Sequence, residues 1–274
     1  DRAKRMVCNC AACNCPISGD NHGAWLGAVL GELARSGKDK LTFITSPQLA
    51  SFADWVEQLI AESTGKEGTG ILPVAGEPMG PPEVYGEDRL FIYLRLEDDT
   101  TYDAAVEKIR DAGHPVVQYN LRDLYDLGEQ FFLWEMATAV AGYRLGINPF
   151  NQPDVEAAKI LARQAVNVFK ESGLLPEDSA PSSADQLKSF LEAAHRGDYT
   201  ALQAYVQPSP EMDAALLALR TKLRNTSGMA TTVGYGPRFL HSTGQLHKGD
   251  RGNGLFIQLT SDSGDDLSIP DRAG

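Results

Sequence analysis

The apolar positions of the chain follow two alternating spacings, one typical of buried strands and one typical of amphipathic helices. Short runs rich in β-branched and aromatic residues at 40–46, 89–96 and 115–121 predict strands. In the stretches 47–60 and 127–145 apolar residues recur at helical spacing, which predicts helices. This alternation predicts an α/β fold with a doubly wound, mostly parallel sheet flanked by helices.

The pattern continues along the rest of the chain and is interrupted by a polar stretch rich in Pro and Ser at 176–183. The remaining predicted elements are helices at 24–34, 101–112, 155–172, 184–194 and 210–224, and strands at 201–206, 230–235 and 254–260. The three tryptophans fall on predicted helices among apolar neighbours and are expected in the core: Trp25, Trp55 and Trp134.

A short segment at the end of the helix predicted at 47–60 carries a candidate catalytic group. Residues 61–66 read Ala-Glu-Ser-Thr-Gly-Lys. Pro47 suits the first turn of this helix, and Gly65 suits its end. Glu62 therefore lies where a helix stops beside a flexible glycine, which is a good position for a catalytic base. Taken alone, a glutamate at a helix end is more often a solvated carboxylate, so the neighbouring residues decide between the two interpretations.

Two further segments join residues 62–66 in resembling the glucose-6-phosphate isomerase family. Residues 147–159 read Ile-Asn-Pro-Phe-Asn-Gln-Pro-Asp-Val-Glu-Ala-Ala-Lys and are similar to the family's Asn-x-Phe-Asp-Gln-x-x-Val-Glu-x-x-Lys signature. Residues 236–249 read Gly-Pro-Arg-Phe-Leu-His-Ser-Thr-Gly-Gln-Leu-His-Lys-Gly. This last segment resembles the isomerase half of bifunctional transaldolase/glucose-6-phosphate isomerases. We call the three the glutamate segment (62–66), the glutamine–lysine segment (147–159) and the histidine segment (236–249).

The resemblance implies an aldose–ketose isomerase that interconverts glucose 6-phosphate and fructose 6-phosphate. That reaction opens the sugar ring and moves a proton between C2 and C1 through a cis-enediol, so it needs groups that exchange protons near neutral pH. By this resemblance Glu62 is the candidate base, and His241 is the candidate for ring opening with His247 as the alternative. Lys159 would place positive charge near the ring oxygen or phosphate, and Gln152 would orient hydroxyl groups.

The resemblance also implies four substrate contacts beside the catalytic groups: Ser63, Thr64, Lys66 and Gln245. No cofactor and no metal are expected. With 25 basic and 37 acidic residues, the net charge of −12 argues against nucleic acid as a partner. An anionic sugar phosphate then needs a local positive patch, for which the candidates are Lys66, Lys159, Arg238 and Lys248.

The chain departs from the family in two ways. Its histidine segment follows the glutamine–lysine segment, whereas in the familiar animal and bacterial enzymes it precedes it. The sequence also lacks the phosphate loop and the Gly-Gly-Arg segment of the family's first sugar-isomerase (SIS) domain. We therefore expect the chain to be the C-terminal part of a longer enzyme and to pair with a missing N-terminal SIS domain. Whether a transaldolase domain precedes it stays open. The enzyme is expected to form a homo-oligomer.

The expected organisation has three regions. Residues 1–20 form a Cys-rich leading segment, 21–175 an SIS-like sugar-phosphate isomerase domain, and 176–274 a helical linker with a smaller α/β region that carries His241. The sequence has no run of membrane-spanning length and no signal-peptide core, so a cytoplasmic protein without a membrane partner is expected.

Two other classes of function stay open. The first is a non-catalytic SIS-type module that binds sugar phosphates. The second is a metal-binding or redox role for the four cysteines, which are crowded into one short stretch: Cys8, Cys10, Cys13 and Cys15. Structural zinc sites usually draw two separated pairs from different segments, so an incidental, reduced cluster is the preferred interpretation.

Overall fold

The computed structural model describes residues 3–5, 7, 21–151, 153–174 and 182–261. Its first half contains helices α1 (His22–Arg35), α2 (Ala50–Thr64), α3 (Asp103–Asp111) and α4 (Leu127–Leu145), and strands β1 (Lys40–Thr45), β2 (Leu72–Val74), β3 (Arg89–Leu96) and β4 (Val116–Leu121). Its second half contains helices α5 (Pro153–Ser172), α6 (Ala184–Glu192), α7 (Pro210–Ser227) and α8 (Gly244–Gly249), and strands β5 (Tyr199–Tyr205), β6 (Ala230–Tyr235) and β7 (Gly254–Thr260).

The strands form two parallel sheets. The first has the order β2-β1-β3-β4 and the second has the order β6-β5-β7, and every recorded strand pair is parallel. The predicted α/β class, with parallel strands flanked by helices, is therefore confirmed. No helix in the described part of the chain has the length and apolar character needed to cross a membrane. The four cysteines lie outside the described residues.

The first sheet packs against α1, α2 and α4 through a cluster of aliphatic and aromatic side chains. Trp134 on α4 is fully buried in this cluster, with its ring centroid 5.6 Å from that of Phe43 on β1. Trp55 packs partly buried against the same cluster, as expected. Burial of this apolar surface is the main source of stability for such a layered α/β unit.

The prediction that Trp25 points into the core is wrong, because 48% of this residue is exposed. Helix α1 instead buries a face on which glycines recur every four residues and on which α4 packs. A side chain at Gly27 would place its Cβ 2.4 Å from the carbonyl oxygen of Ala137 on α4. The close approach of the two backbones sets which face of α1 is buried, and Trp25 lies outside that face.

The two sheets are joined by a small apolar cluster and a buried ionic group. The cluster takes Leu72 and Val74 from β2, Ala61 from α2 and Leu246 from α8, together with residues of β5 and β6. The ionic group links Glu77, which follows β2, to Arg89 at 3.2 Å and to Arg224 of α7 at 3.8 Å. All three of these charged side chains are almost fully buried, and the group connects α7 to β3 of the first sheet.

Candidate active site

The three motif segments meet at the end of helix α2. The Gln245 side-chain amide donates a hydrogen bond to the carbonyl oxygen of Gly65 at 2.9 Å. The Lys66 ammonium group donates to the carbonyl oxygen of Asn148 at 3.1 Å and also to that of Asn151. One dipeptide of the glutamate segment therefore holds both the histidine segment and the glutamine–lysine segment.

Gly65 is required here because another backbone passes it closely. A Cβ atom at this position would lie 2.2 Å from the Cα of Leu246. The backbone of Gly65 has φ −76°, which other residues also adopt, so the need for glycine comes from the neighbouring chain and not from its own conformation. A second backbone contact, from the Gly68 N–H to the carbonyl of Gly249 at 2.9 Å, fixes the far end of α8.

Three of the predicted substrate contacts have structural roles in this arrangement. The Thr64 hydroxyl is fully buried, donates to the Ile60 carbonyl at 2.7 Å and accepts from the Ile71 N–H at 3.0 Å. Lys66 is also fully buried, and Gln245 is 5% exposed. These three side chains are enclosed and bonded to the backbone, and their contact with a substrate stays a prediction.

Glu62 and Ser63 lie on the outer side of the same helix end. Both are half-buried, in the last turn of α2. The Gln58 amide approaches a Glu62 carboxylate oxygen at 3.4 Å. The carboxylate of Glu62 is therefore partly open to solvent and three residues away from the point where the segments meet.

The two candidate histidines have different surroundings. His241 is exposed at the end of a 3₁₀ turn, Arg238–His241. The His247 ring lies inside the fold, stacked on Tyr199 with centroids 5.7 Å apart, and its Nδ1 atom is 2.8 Å from the Tyr199 hydroxyl. Burial, with a smaller contribution from Lys248, lowers the pKa of His247 to about 4. His247 is therefore a neutral imidazole at physiological pH.

The hydrogen bonds of Tyr199 fix the tautomer of His247. The Tyr199 hydroxyl donates to the Asp250 carboxylate at 2.8 Å. Because a hydroxyl group has one proton to donate, the Nδ1 atom of His247 must be the donor in its bond to Tyr199. Its Nε2 atom then carries the lone pair, and the ring orientation is held by the Asp250–Tyr199–His247 chain.

The glutamine–lysine segment begins helix α5, which contacts α8. Lys159 lies on this helix and is exposed, as are Arg238 and Lys248 of the histidine segment. Gln152 lies outside the described residues. Of the four predicted cationic contacts, Lys159, Arg238 and Lys248 are thus exposed, whereas Lys66 is enclosed. In the described part of the chain, no group of His, Cys, Asp and Glu side chains is arranged to hold a metal ion.

The structure adds one titratable residue that the sequence did not suggest. Glu57 of α2 lines a small crevice together with Ser242 and His247 of the histidine segment. Burial, with a contribution from Asp54, raises the pKa of the Glu57 carboxyl group to about 7. A sequence signal does exist: Glu57 lies midway between Ala53 and Ala61, four residues from each, and both alanines are buried, so the helical spacing puts a carboxyl group on the inner face.

The chain is thus a parallel α/β protein in which the three motif segments are in contact. No family model matches the chain. Over 180 residues it is 30% identical to the glucose-6-phosphate isomerase of Parabacteroides distasonis, which covers 51% of this chain and 40% of that protein. Over 184 residues it is 30% identical to the glucose-6-phosphate isomerase of Lactobacillus delbrueckii subsp. bulgaricus, covering 53% of this chain and 39% of that protein.

The resemblance to glucose-6-phosphate isomerases predicted from the motifs is thus confirmed. The chain spans about two fifths of the length of these curated relatives, which fits the expectation of a C-terminal part. Among solved structures, a hypothetical protein of Thermus thermophilus is similar, with a TM-score of 0.50 and 19% identity. That likeness covers 60% of this chain and 49% of the other and supports the fold alone.

Proposed function

We propose that this chain supplies part of an aldose–ketose isomerase site and, within the complete enzyme, interconverts glucose 6-phosphate and fructose 6-phosphate. The observation that carries the proposal is the junction at Gly65 and Lys66. Its side-chain to backbone hydrogen bonds span 82, 85 and 180 residues of sequence. Three segments that matched the motifs of one family by chance would not be expected to form hydrogen bonds with one another.

In the proposed reaction Glu62 moves the proton. Its carboxylate takes the proton from C2 of the open-chain sugar, which leaves a cis-enediolate with its negative charge on O1. The hydroxyl proton of O2 moves to O1, and Glu62 returns its proton to C1, which completes the ketose. No proton is gained or lost overall. A carboxylate at a half-buried helix end is partly desolvated yet open to a ligand, which suits a group that must accept and return a proton. Ser63, half-buried beside it, is the proposed neighbouring contact.

Ring opening needs a group that removes the proton of the anomeric hydroxyl and one that protonates the ring oxygen. We assign this exchange to His241, because its exposed ring is accessible to a sugar. His247 is the alternative, since its neutral ring carries a lone pair on Nε2. Lys159 is proposed to stabilise negative charge on the ring oxygen or phosphate, and Gln152 to orient hydroxyl groups.

The rest of the site is proposed to come from a preceding SIS domain, with the complete enzyme as a homo-oligomer. A sugar phosphate needs a cradle for its phosphate group, and among the described residues the exposed cations that the motifs propose for it are Lys159, Arg238 and Lys248. They sit on a chain with a net charge of −12, so they provide only local attraction.

The test combines binding with turnover. Calorimetric titration with fructose 6-phosphate measures binding, and a glucose-6-phosphate dehydrogenase assay of the same sample measures isomerisation, both with and without an added upstream SIS domain. The proposal expects binding and turnover in the completed protein. Binding without turnover in the completed protein would favour the non-catalytic sugar-phosphate-binding module. Neither binding nor turnover would contradict both functions.

A further inference from the structure

A cavity lies where the two sheets meet, at the amino ends of β1, β5 and β7. Its volume is about 220 Å³. A single water molecule needs only on the order of 15 Å³ of such space, whereas sites for drug-sized ligands span roughly 300 to 1,000 Å³. None of the described residues proposed above for the isomerase reaction lines the cavity. It therefore offers room for a small molecule at a place that has no assigned function.

The inner wall of this cavity carries a buried cation. Lys40, the first residue of β1, is only 1% exposed. Its ammonium group donates to the Asp39 carboxylate at 2.6 Å, whereas a carboxylate oxygen of Asp88 is 3.8 Å away, which is too far for a hydrogen bond. The ring of Tyr199, centred 6.0 Å from the ammonium nitrogen, adds a weaker attraction. An ammonium group has three N–H donors, and within the described part of the chain one of them has an acceptor, so Lys40 has donors left for a ligand.

Two arginines bring further positive charge to the mouth of the cavity. Arg251 lies just before β7 and Arg35 ends α1, and about half of each side chain is exposed, 47% and 55% respectively. Arg251 lies 3.2 Å from the Asp39 carboxylate and donates to the Gly197 carbonyl at 3.1 Å. Arg35 lies 3.5 Å from Glu32. Each guanidinium group has five N–H donors, so both arginines keep donors for a ligand in the cavity.

The carboxylates of the cavity, in contrast, are already occupied. One oxygen of Asp39 bonds to Lys40 and the other lies beside Arg251. Asp250 accepts the Tyr199 hydroxyl at 2.8 Å with one oxygen and a backbone N–H at 2.8 Å with the other. The lining side chains thus have a surplus of donors, and they include three cations and two carboxylates. A ligand that complements such a lining is rich in acceptors and carries negative charge.

We propose that this cavity is a binding site for a small oxyanion, that is, a molecule with a carboxylate or phosphate group on a short body. Lys40 binds the anionic group from the inside, and the two arginines bind it from the mouth. The buried side chains of Leu72 and Leu246 contact the rest of the molecule. On a chain with a net charge of −12, an anion requires such a local group of cations. The proposal does not depend on the isomerase function.

The same site links the two sheets. Lys40 lies on β1 of the first sheet, and Arg251 lies in the loop that leads into β7 of the second. The cavity exists only when both parts are folded together, so a ligand that occupies it stabilises the folded chain by mass action. Binding can therefore be measured with simple anions as probes and without isomerase activity.

The first experiment locates the binding. The full chain, labelled with ¹⁵N, is titrated at neutral pH and constant ionic strength with inorganic phosphate and, separately, with malonate. The backbone amides of Thr69, Gly70 and Asn253, which line the cavity, should shift and give one common dissociation constant. Saturation by phosphate alone identifies a phosphate site, saturation by malonate alone a carboxylate site, and saturation by both a site for either group. No saturable shift at these amides with either anion, or shifts confined to the surroundings of Lys159 and Lys248, would overturn the proposal.

Substitutions test which groups hold the anion. Arg251→Gln removes a half-exposed cation, so the chain should still fold while its affinity for the anion that binds falls roughly tenfold. Arg196→Gln is the matched control, because that arginine does not line the cavity and 84% of its side chain is exposed. Lys40→Met should abolish binding, and if that variant does not fold, the two arginine variants decide. Equal affinities of Arg251→Gln and Arg196→Gln would overturn the proposal.

Thermal unfolding gives an independent measure of the same binding. The unfolding midpoint of the wild type and of Arg196→Gln should rise as the anion is added, and that of Arg251→Gln should rise much less. Sodium chloride at the same ionic strength is the control for general screening of charge. A rise of equal size in all three proteins would show that the anion acts on surface charges at large and would overturn the site. These measurements involve no isomerisation, so their failure leaves the proposed isomerase function standing, and an inactive complete enzyme leaves this site standing.

Discussion

The side-chain amide of Gln245 lies 2.9 Å from the carbonyl oxygen of Gly65 and donates to it. This bond ties the last turn of α2 to the first turn of α8. Glu62 and the histidine segment belong to parts of the chain that are distant in sequence, and a fixed distance between a base and a ring-opening group is a condition for both to act on one sugar. The contact between Gly65 and α8 can be tested directly.

Gly65→Ala should separate the two helices. The added Cβ would lie 2.2 Å from a backbone atom of Leu246, which cannot move without shifting α8. We expect a loss of about 2 kcal/mol in the free energy of unfolding, measured by urea denaturation. Gly244→Ala is the matched control, because the nearest atom to its Cβ would be 3.6 Å away. Equal stability of the two variants would contradict the close approach.

The base assignment predicts the effect of removing one carboxylate. Glu62→Gln keeps the size and hydrogen-bonding capacity of the side chain but removes its basicity. In the complete enzyme the isomerisation rate should fall by roughly two to four orders of magnitude, with fructose 6-phosphate affinity largely kept. Glu67→Gln, an exposed glutamate just beyond the segment, serves as the control. Near-normal turnover of Glu62→Gln would exclude Glu62 as the base.

The two histidines are distinguished by the form of the substrate. If His241 opens the ring, His241→Ala should slow the reaction of the cyclic sugar much more than that of the open-chain form, since ring opening precedes proton transfer at C2. Stopped-flow assays that start from each form measure the difference. Equal slowing of both forms would remove His241 from this role, and a selective effect of His247→Ala alone would transfer the role to His247.

The buried His247 predicts a specific pH dependence of stability. Its pKa is about 4 in the folded protein, below the value of about 6.5 for an unfolded histidine. The unfolded chain therefore binds the proton more tightly, and the stability contributed by the neutral ring is present above pH 6.5 and is lost as the pH falls toward 4. The loss should be on the order of 2 kcal/mol, since the residue is not fully enclosed.

The measurement compares unfolding free energies at pH 7 and pH 5 for the wild type and His247→Gln, which keeps a donor for Tyr199 but does not titrate. The pH-dependent loss should be smaller in the variant. His195→Gln is the control, because 89% of that side chain is exposed. If the wild type and His247→Gln lose the same stability, His247 is not the group responsible.

Long periodic elements could be predicted from the sequence with accurate bounds. The structure has β3, α4, β6 and β7 at the predicted residues. Helix α2 extends to Thr64, four residues past the predicted stretch, after a 3₁₀ turn at Pro47–Leu49, and Gly65 ends it as expected. Helix α8 was not predicted, because six residues with a glycine at each end show no helical period and the helix depends on its contact with α2.

Motif spacing predicted which segments of the candidate site meet, but not which of their side chains are buried. Motif spacing selected the segments around Glu62, Lys159 and His241, and the structure brings those segments together. Motif spacing could not show that Thr64, Lys66 and Gln245 are enclosed, because burial depends on which backbone packs over a side chain. Motif spacing also did not single out Glu57, because the burial of its carboxyl group depends on the second sheet, which covers that face of α2.

The last prediction concerns the chain by itself. An isomerase site of this kind stabilises an enediolate and holds a phosphate, and loss of either set of contacts removes several kcal/mol of transition-state stabilisation. The chain spans about two fifths of its curated relatives, and two of its predicted ligand contacts, Lys66 and Gln245, hold the segments together. The isolated chain should therefore fold yet isomerise fructose 6-phosphate poorly, and an upstream SIS domain, added in trans or fused, should raise turnover by at least about a hundredfold. Added domain with Glu62→Gln chain is the control and should give no such gain. Full turnover by the chain alone would show that its own exposed groups, such as Lys159 and Arg238, are sufficient to hold the phosphate.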